Sequence, residues 1–353
     1  MRVGSIPVGG TGVYGWVERH RTTAARTTAA PPIRSASTKA PLPAMGADDQ
    51  DNEGMQVRDA VGSRLRSKWF WVVLAAALLA GCGGTGDGDA GGVGGKPKVG
   101  DPGPVHVHGL GVNPKDGALF LATHTGLFRA ATGEQKATRV AARYQDTMGF
   151  TVVGADRFLG SGHPDLGEKL PPFLGLIESR DAGQSWQPIS LMGKRDFHVL
   201  EATGTRIYGF GSDYESREAD LLVSDDGGRS WQRRSPPEGL LSLAIDPADP
   251  DHIVVSGERQ LYESRDAGRG WRPLDAEPGL VAWPAAGRLL AIAGTGAVAV
   301  SANGRRWRKI GRVDGQPAAF EAQSDKELHA ALHNGKVMRS TDGGVSWALR
   351  SSP

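Results

Sequence analysis

Past Cys82 the chain carries eight histidines, and five of them stand where strands would begin or end. His106 and His108 lie two apart in HVHGLGV, so on an extended chain both side chains point to one side. His124 closes FLATH, His163 closes RFLGSGH, and His198 stands near the start of FHVLEAT. Met148 opens MGFTVVG in the place that His108 and His198 hold in their own runs. Gathered at one point, His106, His108, His124, His163 and His198 would form a metal site. The Met148 thioether would turn it towards copper, and imidazole alone towards zinc. Without a metal the same histidines would line a polar channel, and no cofactor is required by the sequence.

Glycoside hydrolysis is the second chemistry within reach. It needs two carboxylates flanking the bond, or a tyrosine nucleophile in the sialidase manner. The same neighbourhoods contain Asp146, Asp165, Asp196, Asp213, Glu215 and Glu258, with Tyr144 and Tyr214. Asp146, Tyr144, Asp165 and Glu258 are the catalytic candidates, although solvated loop carboxylates would look the same. Binding of a glycan, peptide or protein without turnover is the third reading. The formal net charge of +2 gives no electrostatic case for nucleic acid. No nucleophile elbow, phosphate-cradling loop or cysteine metal motif is present.

A repeat must position these residues. SRDAGQSW (179–186) returns as SDDGGRSW (224–231), SRDAGRGW (264–271) and STDGGVSW (340–347), with a shortened SANGRRW (301–307). The starts are 45, 40, 37 and 39 residues apart. A degenerate sixth copy lies in GLFRAATGEQKATRV, where Asp and Trp are lost. Each unit reads as four short strands, and about 40 residues per unit is the size of a propeller blade. The expected fold is all-β, a six-bladed β-propeller over residues 105–353, with the first strand of each blade on the axis and packed on both faces. The octet falls on the hairpin between third and fourth strands. There Asp181, Asp225, Asp266 and Asp342 would hold the turn, glycine would take positive φ, and Trp186, Trp231, Trp271, Trp307 and Trp347 would drop between sheets. His106, His108, His124, Met148, His163 and His198 would then share the opposite face, over blades 1–3. Val105–Val112 would have to close the ring against the last blade.

The octets resemble the Asp-box, or BNR, repeats of the sialidase superfamily, over about seven-tenths of the chain. HVHGLGVNP, FLATHTGLFR, DTMGF, GSGHPD and GLIESRDAG further resemble a family of bacterial lipoproteins described as glycosylhydrolase-like. The resemblance implies the propeller and, if there is activity, a sialidase-like exo-acting glycoside hydrolase. Sialidases also use three arginines on the substrate carboxylate. Arg143, Arg195 and Arg259 are near the rim, but the Arg-Ile-Pro stretch that introduces the first is missing.

The amino-terminal third reads as targeting sequence. RLRSKWFWVVLAAALLAGC has a basic start, an apolar run of about 12 residues and small residues before the chain's one cysteine. The run is short against the ~20 residues of a membrane span, and the pattern is that of a secretory leader. Leu-Ala-Gly-Cys resembles a lipobox, which implies lipidation at Cys82. A start at Met55 gives a leader at 55–81 of ordinary length, so 1–54 is expected to be disordered or to precede the true start. Gly-rich 82–104 reads as a flexible tether. The expected location is the bacterial cell envelope, extracytoplasmic and lipid-anchored to a membrane, and the protein is expected to act as a monomer.

Overall fold

The computed structural model describes residues 101–353. Residues 1–54, the leader at 55–81, Cys82 and nearly all of the tether lie outside the described residues. Among the described residues, twenty-four strands form six antiparallel four-stranded sheets, each in sequential order. Blade 1 is β1 (Val107–Val112), β2 (Leu119–Thr123), β3 (Gly126–Ala130) and β4 (Thr138–Arg139). Blade 2 is β5 (Asp146–Gly154), β6 (Arg157–His163), β7 (Leu176–Ser179) and β8 (Gln187–Ser190). Blade 3 is β9 (Arg195–Thr203), β10 (Arg206–Asp213), β11 (Ala219–Ser224) and β12 (Gln232–Arg234). Blade 4 is β13 (Leu240–Asp246), β14 (Asp249–Gly257), β15 (Leu261–Ser264) and β16 (Arg272–Leu274). Blade 5 is β17 (Gly279–Ala285), β18 (Arg288–Ala293), β19 (Ala297–Ser301) and β20 (Trp307–Arg312). Blade 6 is β21 (Pro317–Ala322), β22 (Leu328–Leu332), β23 (Val337–Ser340) and β24 (Ala348–Ser351). The chain is a six-bladed β-propeller.

Each octet is a turn between third and fourth strands with one recurring set of bonds. In blade 2 the Ser179 hydroxyl donates to Asp181 Oδ1 at 2.8 Å and accepts from the Gly183 amide at 2.8 Å. Asp181 Oδ1 in turn accepts the Ser185 amide at 2.9 Å. Blade 3 repeats this with Ser224, Asp226, Gly228 and Ser230. The turn carboxylate is therefore Asp226 and not Asp225. The ring of donors spans two residues from the serine, and Asp225, one residue short, points outward to Arg206 at 2.7 Å. In blade 5 Asn303 stands in for the aspartate and accepts from Arg305. The glycine at the fifth position is fixed twice over. Gly183 has φ 84° and Gly228 has φ 85°, and a Cβ there would meet Leu127 at 2.3 Å or Leu176 at 2.1 Å in the preceding blade.

That close approach seats the tryptophan. Trp186 packs on a core shared by blades 1 and 2, with Phe120, Phe150 and Phe158. Trp231, Trp271, Trp307 and Trp347 do the same at the next four seams. The sixth seam, between blades 6 and 1, has Ala137 in the tryptophan's place. Val107, Leu110 and Val112 meet Ala319, Ala331 and Val337 there, as ring closure required. Arg350 completes the seam by donating to the carbonyls of Ala130 (3.2 Å), Ala131 (3.0 Å) and Glu134 (2.5 Å). The Ser352 amide donates to Gln135 O at 3.1 Å. At the other end Asp101 pairs with Arg139, and Thr125 Oγ1 donates to Gly103 O at 2.6 Å.

The second strands, not the first, are the most buried. β2 and β22 are buried at every residue, whereas β1 and β5 are only partly so. A second strand has a sheet neighbour on both sides, while the first has one edge on an axial channel. That channel holds two cavities of ≈ 210 Å³ and ≈ 70 Å³, both bordered by Glu201 of β9 and Glu321 of β21. Burial pushes the Glu321 carboxyl up to about 7. Burial and the charge of Glu321 push Glu201 well above the usual range.

Trp231→Ala is expected to cost about 3 kcal/mol through the emptied seam. At roughly 2–4 °C per kcal/mol for a domain of this size, the melting temperature should fall visibly in calorimetry. Glu321 gives a pH test. Its folded pKa lies above the ordinary 4.5, so the native state holds the proton more tightly than the unfolded chain. Its contribution is complete below the unfolded pKa and is lost as pH rises through about 7. Glu321→Gln should therefore gain melting temperature over the parent at pH 8 and show little gain at pH 5.

Candidate functional site

Five of the six innermost strands are interrupted near their start by one residue that the ladder skips. In β1, Val107 pairs with Thr123 and Gly109 with Ala122, leaving His108 out. Met148, His198, Leu241 and Ala318 are skipped in the same way in β5, β9, β13 and β21. β17 starts without such a skip, and its register shift falls later, between Ala282 and Ala285. A bulge bends the strand and re-aims the extra side chain, here around the mouth of the channel. The correspondence of His108, Met148, His198 and Leu241 read from the sequence is thus a set of bulges. Only blades 1–3 put imidazole or thioether on them.

Within that sector the histidines divide into two groups. His108 meets His124 edge-on with ring centroids 4.2 Å apart. His124 Nδ1 lies 3.0 and 3.1 Å from the two carboxylate oxygens of Asp146. Ligand-type atoms of His108, His124 and Asp146 all fall within 4.8 Å of one another. His108 Nε2 is buried with no hydrogen-bond partner. An unmet buried group of this kind costs about 1–3 kcal/mol. Burial, helped by the neighbouring His124, lowers the His108 pKa to about 4, so the ring is neutral near pH 7 and keeps one nitrogen lone pair. His106 is exposed, at φ 53°, with its ring 5.3 Å from that of His124.

The second group centres on Asp196, which is 3% exposed. Its Oδ2 bonds His198 Nε2 at 2.8 Å and lies 3.4 Å from His163 Nε2, while Oδ1 has no partner. His163 Nδ1 faces the Pro172 carbonyl at 2.8 Å, so both of its nitrogens are engaged. Burial pulls the His198 pKa down, but the hydrogen bond and charge of Asp196 outweigh it and the net shift is upward. The structure therefore does not bring all five histidines to one point. It joins His108 and His124 to Asp146, a residue that the sequence marked only as an acid. His252 and His329 are buried in blades 4 and 6.

The rim carries the remaining candidates. Asp165 accepts the amides of Tyr144 (2.8 Å) and Gly167 (3.1 Å). Tyr144 lies against Arg139, whose guanidinium is 3.9 Å from the ring centre. Asp213 accepts the amides of Glu215 and Ser216, and Glu258 is exposed beside an apolar hollow of blades 4–6. Arg143, Arg195 and Arg259 are each held by different carboxylates, Glu168 (3.0 Å), Asp213 with Asp220 (3.3 and 3.1 Å) and Glu238 (3.0 Å). The structure does not gather them into one clamp. His163, Phe173 and Tyr214 form an aromatic line with centroids 5.5 and 5.4 Å apart. Sequence reasoning missed Phe173 and the channel pair Glu201 and Glu321. The only hint of the pair was that each falls near the end of a first strand, Glu321 in the otherwise apolar PAAFEA.

No family model matches the chain. Part of it is 28% identical over 160 residues to the dispase autolysis-inducing protein of Streptomyces mobaraensis, over 45% of this chain and 38% of that protein. The chain thus spans under two-fifths of that relative. Among solved structures it is similar to a gluconolactonase from Xanthomonas campestris, at 15% identity and TM-score 0.51, covering 70% of this chain and 86% of that one. It is similar to YCF48 bound to a D1 peptide at 17% identity and TM-score 0.46, over 70% and 82% of the two chains. A GH74 xyloglucanase from Xanthomonas campestris follows at 20% identity and TM-score 0.44, over 70% and 45%. At these identities the likeness is one of fold.

Proposed function

We propose that this propeller binds a peptide or protein segment on the face where the innermost strands begin, over blades 1–3. One observation carries the reading. Eight large apolar side chains are exposed among the described residues, and six are on that face: Val105, Tyr144, Leu166, Leu170, Tyr214 and Leu241. Exposed apolar groups gathered on one side mark an interaction surface. Five of them border the imidazole sector, and Leu241 faces it across the channel mouth. The excursion after β6 raises Leu166, fully exposed at 103%, and Leu170 above it. Tyrosines at such a rim supply area at low entropic cost, and the Asp196–His163–His198 group supplies directional polar contacts.

Binding is favoured over glycoside hydrolysis by the state of the carboxylates. Asp165 and Asp213 are occupied in holding loops, and the three rim arginines are each neutralised by a neighbour. The Asp-box identity of the octets, the lipidation of Cys82 and the tether belong to the same proposal. Together they describe a capture module held at a membrane of the bacterial envelope, and the leader-like run ending in Leu-Ala-Gly-Cys supports that placement.

Arrays of peptides and of glycans, probed with the full chain, test the reading. Peptides should be retained, and Leu166→Ser combined with Tyr214→Ala should weaken them at least about tenfold with an unchanged melting temperature. Retention of glycans alone, or turnover of fluorogenic glycosides, would replace the proposal with the hydrolase reading.

A further inference from the structure

We infer that His108, His124 and Asp146 form a zinc site at the mouth of the channel. The inference rests on the same face as the binding proposal and names one component of it. His108 is carried there by the β1 bulge, His124 by the end of β2 and Asp146 by the start of β5, so three strands of two blades converge. Their ligand atoms already lie within 4.8 Å of one another. A tetrahedral zinc with bonds of about 2.0–2.2 Å spaces its ligand atoms by about 3.3 Å, and His124 Nδ1 is 3.0 Å from Asp146 Oδ1. A plain hydrogen bond would account for the His124–Asp146 contact. It would not account for His108 Nε2, which is buried with nothing to bond. A cation between the three side chains satisfies all of them at once.

Two imidazoles and one carboxylate make a nitrogen and oxygen set with no thiolate, suited to zinc. Three protein ligands also leave a fourth position for water or for a ligand oxygen. His163 and His198 do not belong to the site, because Asp196 and the Pro172 carbonyl already engage them. A bound zinc would give the face a point of attachment for a carboxylate or carbonyl of the captured segment.

The test uses the full chain, purified without a histidine tag and stripped by chelator dialysis. Zn²⁺ alone is titrated by calorimetry, and Co²⁺ is added separately as a coloured reporter of coordination. One equivalent of Zn²⁺ per chain is expected, with a rise in melting temperature and the visible bands of four-coordinate Co²⁺. Asp146→Asn and His108→Gln should each weaken zinc at least about tenfold, while His163→Gln leaves it unchanged. Two variants guard against a folding failure in either, and circular dichroism melting reports on both. Absence of stoichiometric zinc, or affinity that follows His163 instead of His108 and Asp146, overturns the site. Repeating the peptide array with stripped and zinc-loaded chain separates the two proposals. Peptide capture without zinc binding sinks only the metal site, and zinc binding without capture sinks only the docking face.

Discussion

The seam between neighbouring blades is the contact on which the rest of the molecule depends. A four-stranded sheet of this size cannot bury its faces alone, and every core cluster here is shared by two blades. The octet turn makes this sharing repeatable. Its serine and aspartate bind the turn's own amides, its fifth-position glycine lets the backbone touch the preceding blade, and its tryptophan then fills the gap. Five seams are built in this way. At the sixth, where blade 1 has lost the motif, Arg350 seats its guanidinium on the carbonyls of the unsupported turn. Ring closure therefore uses hydrogen bonds to a charged group where the other seams use an indole.

Closed seams hold six inner strands around an axis, and the site follows from that. Near the start of five of them an extra residue is pushed out of the ladder, and six-fold pseudosymmetry would make these positions alike. The sequence breaks the symmetry by chemistry instead of backbone. Blades 1–3 carry His108, Met148 and His198, whereas blades 4 and 6 carry Leu241 and Ala318. One half of the mouth is consequently polar and titratable, and the other half is apolar.

Below the mouth the channel carries two half-buried carboxyls. Glu201 and Glu321 come from blades on opposite sides of the ring and border the same two cavities, where burial pushes both carboxyls above the usual range. The seams tolerate them because the channel is not part of the packed core. Water-sized space at the axis takes what the blade interfaces would reject.

The octets determined, from sequence alone, that the chain is a six-bladed propeller and where each hairpin turns. Ser-x-Asp followed by Gly and Trp is a local device, since its hydrogen bonds stay within four residues, and local devices can be read from a string. Even there one position misled: Asp225 and Asp226 are adjacent, and only the three-dimensional ring of donors chooses Asp226. The equivalence of His108, Met148 and His198 was also legible, because repeats align. Which histidines meet was not. Whether His163 joins His124 or turns to Asp196 depends on the orientation of side chains from separate blades. The partner of His124, Asp146, lies 22 residues away and is brought to it only when β2 and β5 stand side by side. The same holds for Glu201 and Glu321, which are 120 residues apart and share one cavity because the ring closes. Pairing across blades depends on the angle at which each seam sets its neighbour, and that angle is a property of the packed ring, not of any one segment.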